Sequence, residues 1–142
     1  MAEITLRKAR TIIAKTLAKG RDMGLKPLSV IILDAGGNVK AFEREDGASN
    51  LRFQMAHGKA YGALGVGQGS RYLMNRAEKQ PYFTAGLGTV FGNILPVPGG
   101  VLVRDRKGAI IGAVGVTGDT SDNDEIAAMA GIEAAGFTGD PG

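Results

Sequence analysis

With 142 residues, 44% of them hydrophobic, the chain is long enough to bury roughly two-thirds of its unfolded surface in one core and too short for two, so a single domain over residues 1–142 is expected. It contains no cysteine, which excludes disulfides, thiolate metal clusters and thiol nucleophiles. The net charge of +3 hides an asymmetry: residues 1–71 carry 12 Lys/Arg against 6 Asp/Glu, whereas residues 108–142 carry 6 Asp/Glu and no Lys/Arg.

The cations of the first half are scattered along an amphipathic helix, without zinc-finger or aromatic RNA-binding patterns, so no nucleic-acid partner is expected. The basic and acidic halves are instead expected to face each other, within one subunit or across two. The opening "MAEITLRKARTIIAKTLAKG" has charges throughout, and no apolar run reaches the ~18 residues of a membrane span. The expectation is a cytoplasmic protein with no membrane partner.

Taken in order, residues 5–19 place Leu6, Ala9, Ile13 and Leu17 at helical spacing, and this helix should end near Gly20 or Gly24. "LSVIILDAGGNVKAFERED" gives two β-rich runs, residues 28–33 and 39–43, around a turn where glycine supplies positive φ. Residues 50–66 and 71–80 read as two more helices, the second stopped by Pro81. After a glycine-rich region, "GGVLVRD" and "GAIIGAVGVTG" form a second hairpin, and residues 124–135 a last helix with Gly136 at its C-cap. "TGDPG" reads as a loose tail. The order α-β-β-α-α-(β)-β-β-α, with short hairpin links, predicts an α+β, sandwich-like fold: an antiparallel sheet of about five strands flanked by helices.

The turn "GDTSDNDE" could hold phosphate, cap a helix or bind a cation. Asp119 after Gly118 has the wrong charge for a phosphate loop, and "GVGQGS" lacks the dinucleotide spacing. An EF-hand is disfavoured because the helix begins where its last ligand should stand. A capping box, Ser121 with Asp124 or Asp122 with Glu125, is the expected role.

His57 is the only histidine. On a helix its near-face neighbours are Phe53, Ala60, Tyr61 and Leu64, whereas Lys59 points about 200° away. One helix would thus show His57 and Lys59 to different surroundings. A packed imidazole, a haem ligand and a general acid or base are all open for His57. At the end of the second strand, Arg44 and Asp46 could hold a carboxylate, or Arg44 could pair with Glu43 or Glu45.

"DAGGNVKAFERED", "AHGKAYGA" and "PVPGGVLVRDRKGAIIGAVGVTGDTSDNDEIAAMAGIEA" together resemble the family of small haem-binding or glycolate-utilisation-operon proteins, which includes the C-terminal domain of some corrinoid adenosyltransferases. The similarity runs to about Gly136. It implies an antiparallel sheet flanked by helices, assembly into tetramers or octamers, and haem as the cofactor of some members. It also implies a pocket on Arg44, Asp46 and Gly47, on Lys59 and Ala60, on Gly99 and Gly100, and on Asp124 and Glu125. Tyr61, beside His57 on the same helix face, is a further expected ligand contact.

Two functions follow as expectations. One is a homo-oligomeric small-molecule binder, with haem ligated by His57, in cofactor or small-carboxylate metabolism; bis-histidine ligation would need two subunits. The other is a lyase, isomerase or hydrolase acting on a small carboxylate or carbonyl compound. There Arg44 would orient the acid, Lys59 or His57 would move the proton, and Asp124 or Glu125 would be the partner acid.

Overall fold

A computed structural model describes residues 3–142; the first two residues of the expected domain lie outside the described residues. The elements run α1 (Leu6–Asp22), β1 (Ser29–Asp34), β2 (Val39–Arg44), α2 (Arg52–Val66), α3 (Ser70–Lys79), α4 (Pro81–Phe91), β3 (Gly100–Arg104), β4 (Ile110–Thr117), α5 (Ser121–Ala134) and β5 (Thr138–Asp140). The strands form one antiparallel sheet in the order β2-β1-β4-β3-β5. The α+β class and the five-stranded antiparallel sheet are as expected. Among the described residues no helix is long and apolar enough to cross a membrane.

Strand alternation sorts the core into two layers. Val30 and Ile32 of β1, Val101 and Val103 of β3, and Val114 and Val116 of β4 meet α1 and α5 through Ile12, Ile13, Leu17, Ala127, Ala128 and Ile132. On the other face Ile31, Leu33, Leu102 and Ala113 lie under Ala56, Ala60 and Ala63 of α2. Small residues let α2 come very close to the sheet. Gly100 and Gly115 are opposite each other in the β3–β4 register; a Cβ at either would overlap a backbone carbonyl of α2, that of Lys59 or of Ala56.

Four readings of the sequence are corrected. The strand placed in brackets between the third helix and the glycine pair is not formed: "PYFTAGLGTVF" is helix α4, with Pro81 at its first turn. Proline stops α3 and starts α4, because its fixed φ suits a helix start where the missing N–H costs nothing. The fifth strand is instead β5, in the expected loose tail, where Asp140 pairs with Arg104 at 2.9 Å. Finally, α5 begins before residue 124 and its N-cap is Thr120, whose Oγ1 accepts from the Asn123 N–H at 3.2 Å; Ser121 is the first helical residue. Leu6, expected on the apolar stripe of α1, is 44% exposed. Ile12 and Thr16 take up the buried stripe with Ala9, Ile13 and Leu17.

Candidate functional site

The two faces of α2 carry different chemistry, as its spacing predicts. On the inner face Lys59 is only 2% exposed and Asp124 of α5 only 1%. Lys59 Nζ donates to Asp124 Oδ2 at 3.0 Å and to the Val116 carbonyl at 2.9 Å, and Asp124 Oδ1 accepts from the Asp119 N–H at 3.0 Å. Gly99, at φ 117°, passes beside the lysine; a Cβ there would be 2.9 Å from Nζ and 2.6 Å from the Val116 oxygen. Burial pushes the Lys59 ammonium down and the Asp124 carboxyl up, and each is pulled back by the other's charge. The pair therefore ties α2, β4 and α5 together with its polar atoms turned inward.

On the outer face four rings follow one another. Phe53 and His57 have centroids 6.1 Å apart, His57 and Tyr61 4.9 Å, and Tyr61 and Phe91 of α4 4.6 Å; Phe42 of β2 meets Phe53 edge-on at 4.9 Å. Residues 53, 57 and 61 lie at helical i+4 spacing, so one stripe of α2 stacks its rings. Partial burial lowers the His57 pKa, which favours the neutral imidazole. Asn93 Nδ2 lies 3.0 Å from His57 Nδ1 and donates to the Gln54 carbonyl at 2.9 Å. The Gln54 carbonyl fixes the amide with its NH2 toward the ring. His57 Nδ1 then accepts, and the neutral ring carries its proton on Nε2.

The remaining expected residues are dispersed. Glu125, next to Asp124 in sequence, turns to Arg71 of α3, which also binds Asp122. Arg44 donates to the Ala48 carbonyl at 3.1 Å rather than to Glu43 or Glu45. Glu45 accepts from the Leu28 N–H at 2.7 Å and meets Arg21 at 3.5 Å. Arg44 and Asp46 border a separate cleft of about 500 Å3 with Leu17, Gly20 and Arg21. The structure thus brings together Lys59, Asp124, Gly99 and Gly100 on one side of α2 and His57 and Tyr61 on the other. Asn93 and Arg71 carry no signal in the sequence, since each joins its partners from a distant segment.

A family model described as haem-degrading, HbpS-like proteins matches residues 4–133. An uncharacterised 15.0 kDa protein from the dhaT-dhaS intergenic region of Citrobacter freundii is 28% identical over 133 residues, 94% of this chain and 92% of that protein. The crystal structure of Klebsiella pneumoniae protein ORFY superposes with a TM-score of 0.85 at 26% identity, covering 96% of this chain and 93% of that one. A PduOC:haem complex gives a TM-score of 0.85 at 22% identity, over 96% and 97% of the two chains, a likeness of fold.

Proposed function

Because the chain belongs to the HbpS-like family of haem-degrading proteins, we propose that it is a haem-binding protein, with the outer face of α2 as its porphyrin contact and His57 as the side chain presented to iron. The observation that carries this reading is the ring series Phe53, His57, Tyr61 and Phe91, which surrounds the only histidine with apolar, polarizable surface. Haem requires an extended apolar contact and an axial donor, and this face has both in one stripe. A haem complex is known for a protein of this fold, which supports haem as the ligand.

The residues present fit the group with one rearrangement. A ligating imidazole offers one nitrogen to the metal and donates its other N–H to an acceptor. His57 Nδ1 now accepts from Asn93, so ligation through Nε2 requires the proton on Nδ1 and the Asn93 amide released from the Gln54 carbonyl and turned to present Oδ1. Asn93 would then orient the ring, and Phe53, Tyr61 and Phe91 would shield it from water. When bound, haem supplies redox-active iron; the protein's part is to bind, orient and shield.

Residues 1–142 act in this reading as one small-molecule-binding domain of a cytoplasmic homo-oligomer, a tetramer or octamer. A second axial histidine could come only from another subunit, since the chain has one. Helix α4 supports self-association: it has no charged residue and no buried one, with Tyr82 73% and Val90 85% exposed. Titration with haem tests the function. A saturable Soret band shifted from that of free haem, at a fixed ratio of haem to chain, is the expected result, and haem that stays spectroscopically free would overturn the proposal.

A further inference from the structure

At the end of the sheet where β4 runs into α5, a cavity of about 310 Å3 is lined by Lys26, Arg52, Gly118, Asp119 and Thr120. We propose that this cavity binds a small monocarboxylate, held by the Arg52 guanidinium and Lys26, with Thr120 as a hydroxyl donor on the rim. The haem reading makes no use of these residues.

Charge is the first argument. Arg52, the first residue of α2, is half-buried. It donates through Nη1 to Thr117 Oγ1 at 2.7 Å and through Nε to Ser49 Oγ at 2.9 Å. Among the described residues it has no carboxylate partner. A guanidinium has five donors in a fork that matches a carboxylate, and the Arg52 contacts within the fold leave part of that fork free. Behind it, Lys59 and Asp124 neutralise each other.

Asp119 also stands on the rim, and it limits the ligand's charge. Its oxygens accept from the Lys26 N–H, the Thr120 N–H and Asn123 Nδ2; these bonds hold it ionised, with a pKa of about 2. Two cations and one anion leave a single positive charge on the wall. One carboxylate balances it, whereas a dianion would meet Asp119.

A buried polar row backs the Arg52 wall of the cavity. Ser29 is fully buried and its Oγ has no hydrogen-bond partner. In the register Ser29 is opposite Thr117, and it shares the α2 face with Ile31 and Leu33, the face from which Arg52 reaches Thr117. Buried hydroxyls without partners are rare, and this one adjoins the residue that Arg52 already holds.

Size and position agree. A volume of about 310 Å3 is at the small end of ligand sites and suits an acid of about two to four carbons. Thr120, the N-cap of α5, places the positive end of that helix on the rim. A larger cleft of about 480 Å3 at the opposite end of β4 also contains cations, Lys8, Arg106 and Lys107. There Lys8 is bound to the Ala135 carbonyl at 2.8 Å, at the carbonyl end of α5, which disfavours an anion.

The test is calorimetry of the full chain at low salt with lactate as the probe, and phosphate and sulfate as comparison arms. Saturable lactate binding is expected, weakened about 10-fold or more by Arg52→Gln and several-fold by Lys26→Gln, with Lys107→Gln in the opposite cleft unchanged. Lys26 carries the test if Arg52→Gln does not fold, because among the described residues no hydrogen bond uses its ammonium. Tighter binding of phosphate or sulfate than of lactate would overturn the monocarboxylate assignment. Absence of saturable lactate binding, or lactate binding indifferent to Lys26→Gln, would overturn the site. Haem titration of the same samples reads the other face of α2, so the two proposals fail separately.

Discussion

Lys59 and Asp124, 65 positions apart in sequence, meet in the interior with Nζ 3.0 Å from Oδ2 and both side chains nearly closed to solvent. Removing one partner leaves the other charge buried and uncompensated, so Lys59→Met or Asp124→Leu alone should cost about 3–5 kcal/mol. The double substitution should recover most of that loss, because an apolar pair carries no desolvation cost. Urea denaturation of the three variants measures the coupling; singles that cost under about 1 kcal/mol would show that the pair does not hold the fold.

At the outer face of α2, His57→Ala should abolish or shift the Soret band of added haem. Asn93→Asp should strengthen haem binding, since a carboxylate accepts the Nδ1 proton and favours the ligating tautomer. Absorbance titrations distinguish these outcomes, and a spectrum indifferent to His57→Ala would place the iron elsewhere.

Asp119 gives the acid limb of stability a recognisable contributor. Its folded pKa of about 2 lies below the ordinary 3.8, so its contribution is complete above pH 3.8 and is lost as pH falls through about 2. Because the carboxylate is partly exposed, solvent screening keeps the effect to about 1 kcal/mol or less. Denaturation midpoints of the parent chain and Asp119→Asn should converge between pH 4 and pH 2.

The N-cap of α5 separates two neighbouring residues. Thr120→Ala should lower stability by about 0.5–2 kcal/mol. Ser121→Ala should stay within about 0.5 kcal/mol of the parent, since Oγ1 of Thr120 accepts the capping bond. Thermal unfolding of both variants checks the order.

Light scattering should give a mass greater than one chain. Lysine at the exposed positions Tyr82 and Val90 of α4 should lower that mass without altering the circular dichroism spectrum. A monomeric parent at micromolar concentration would rule out self-association as read here.

The amino-acid sequence by itself determined what repeats locally. The spacing of residues 53, 57, 60, 61 and 64 put His57 and Tyr61 on one side of α2 and Lys59 on the other, because 3.6 residues per turn fixes direction without any tertiary contact. β-branched runs broken by "DAGGN" and "RDRKG" gave both hairpins, since turn chemistry is also local.

Tertiary structure decided what depends on distant partners. The segment "PYFTAGLGTVF" contains two glycines that disfavour a helix, yet it folds as α4. "TGDPG" has a single strand-forming residue, Thr138, among residues depleted in strands, yet residues 138–140 pair with β3, with Asp140 bound by Arg104. In the run "SDNDE" the sequence distinguishes the acids only by position. The fold sends Asp124 inward to Lys59 and Glu125 sideways to Arg71, because a carboxylate's environment is set by the element packed against it, which no local pattern encodes.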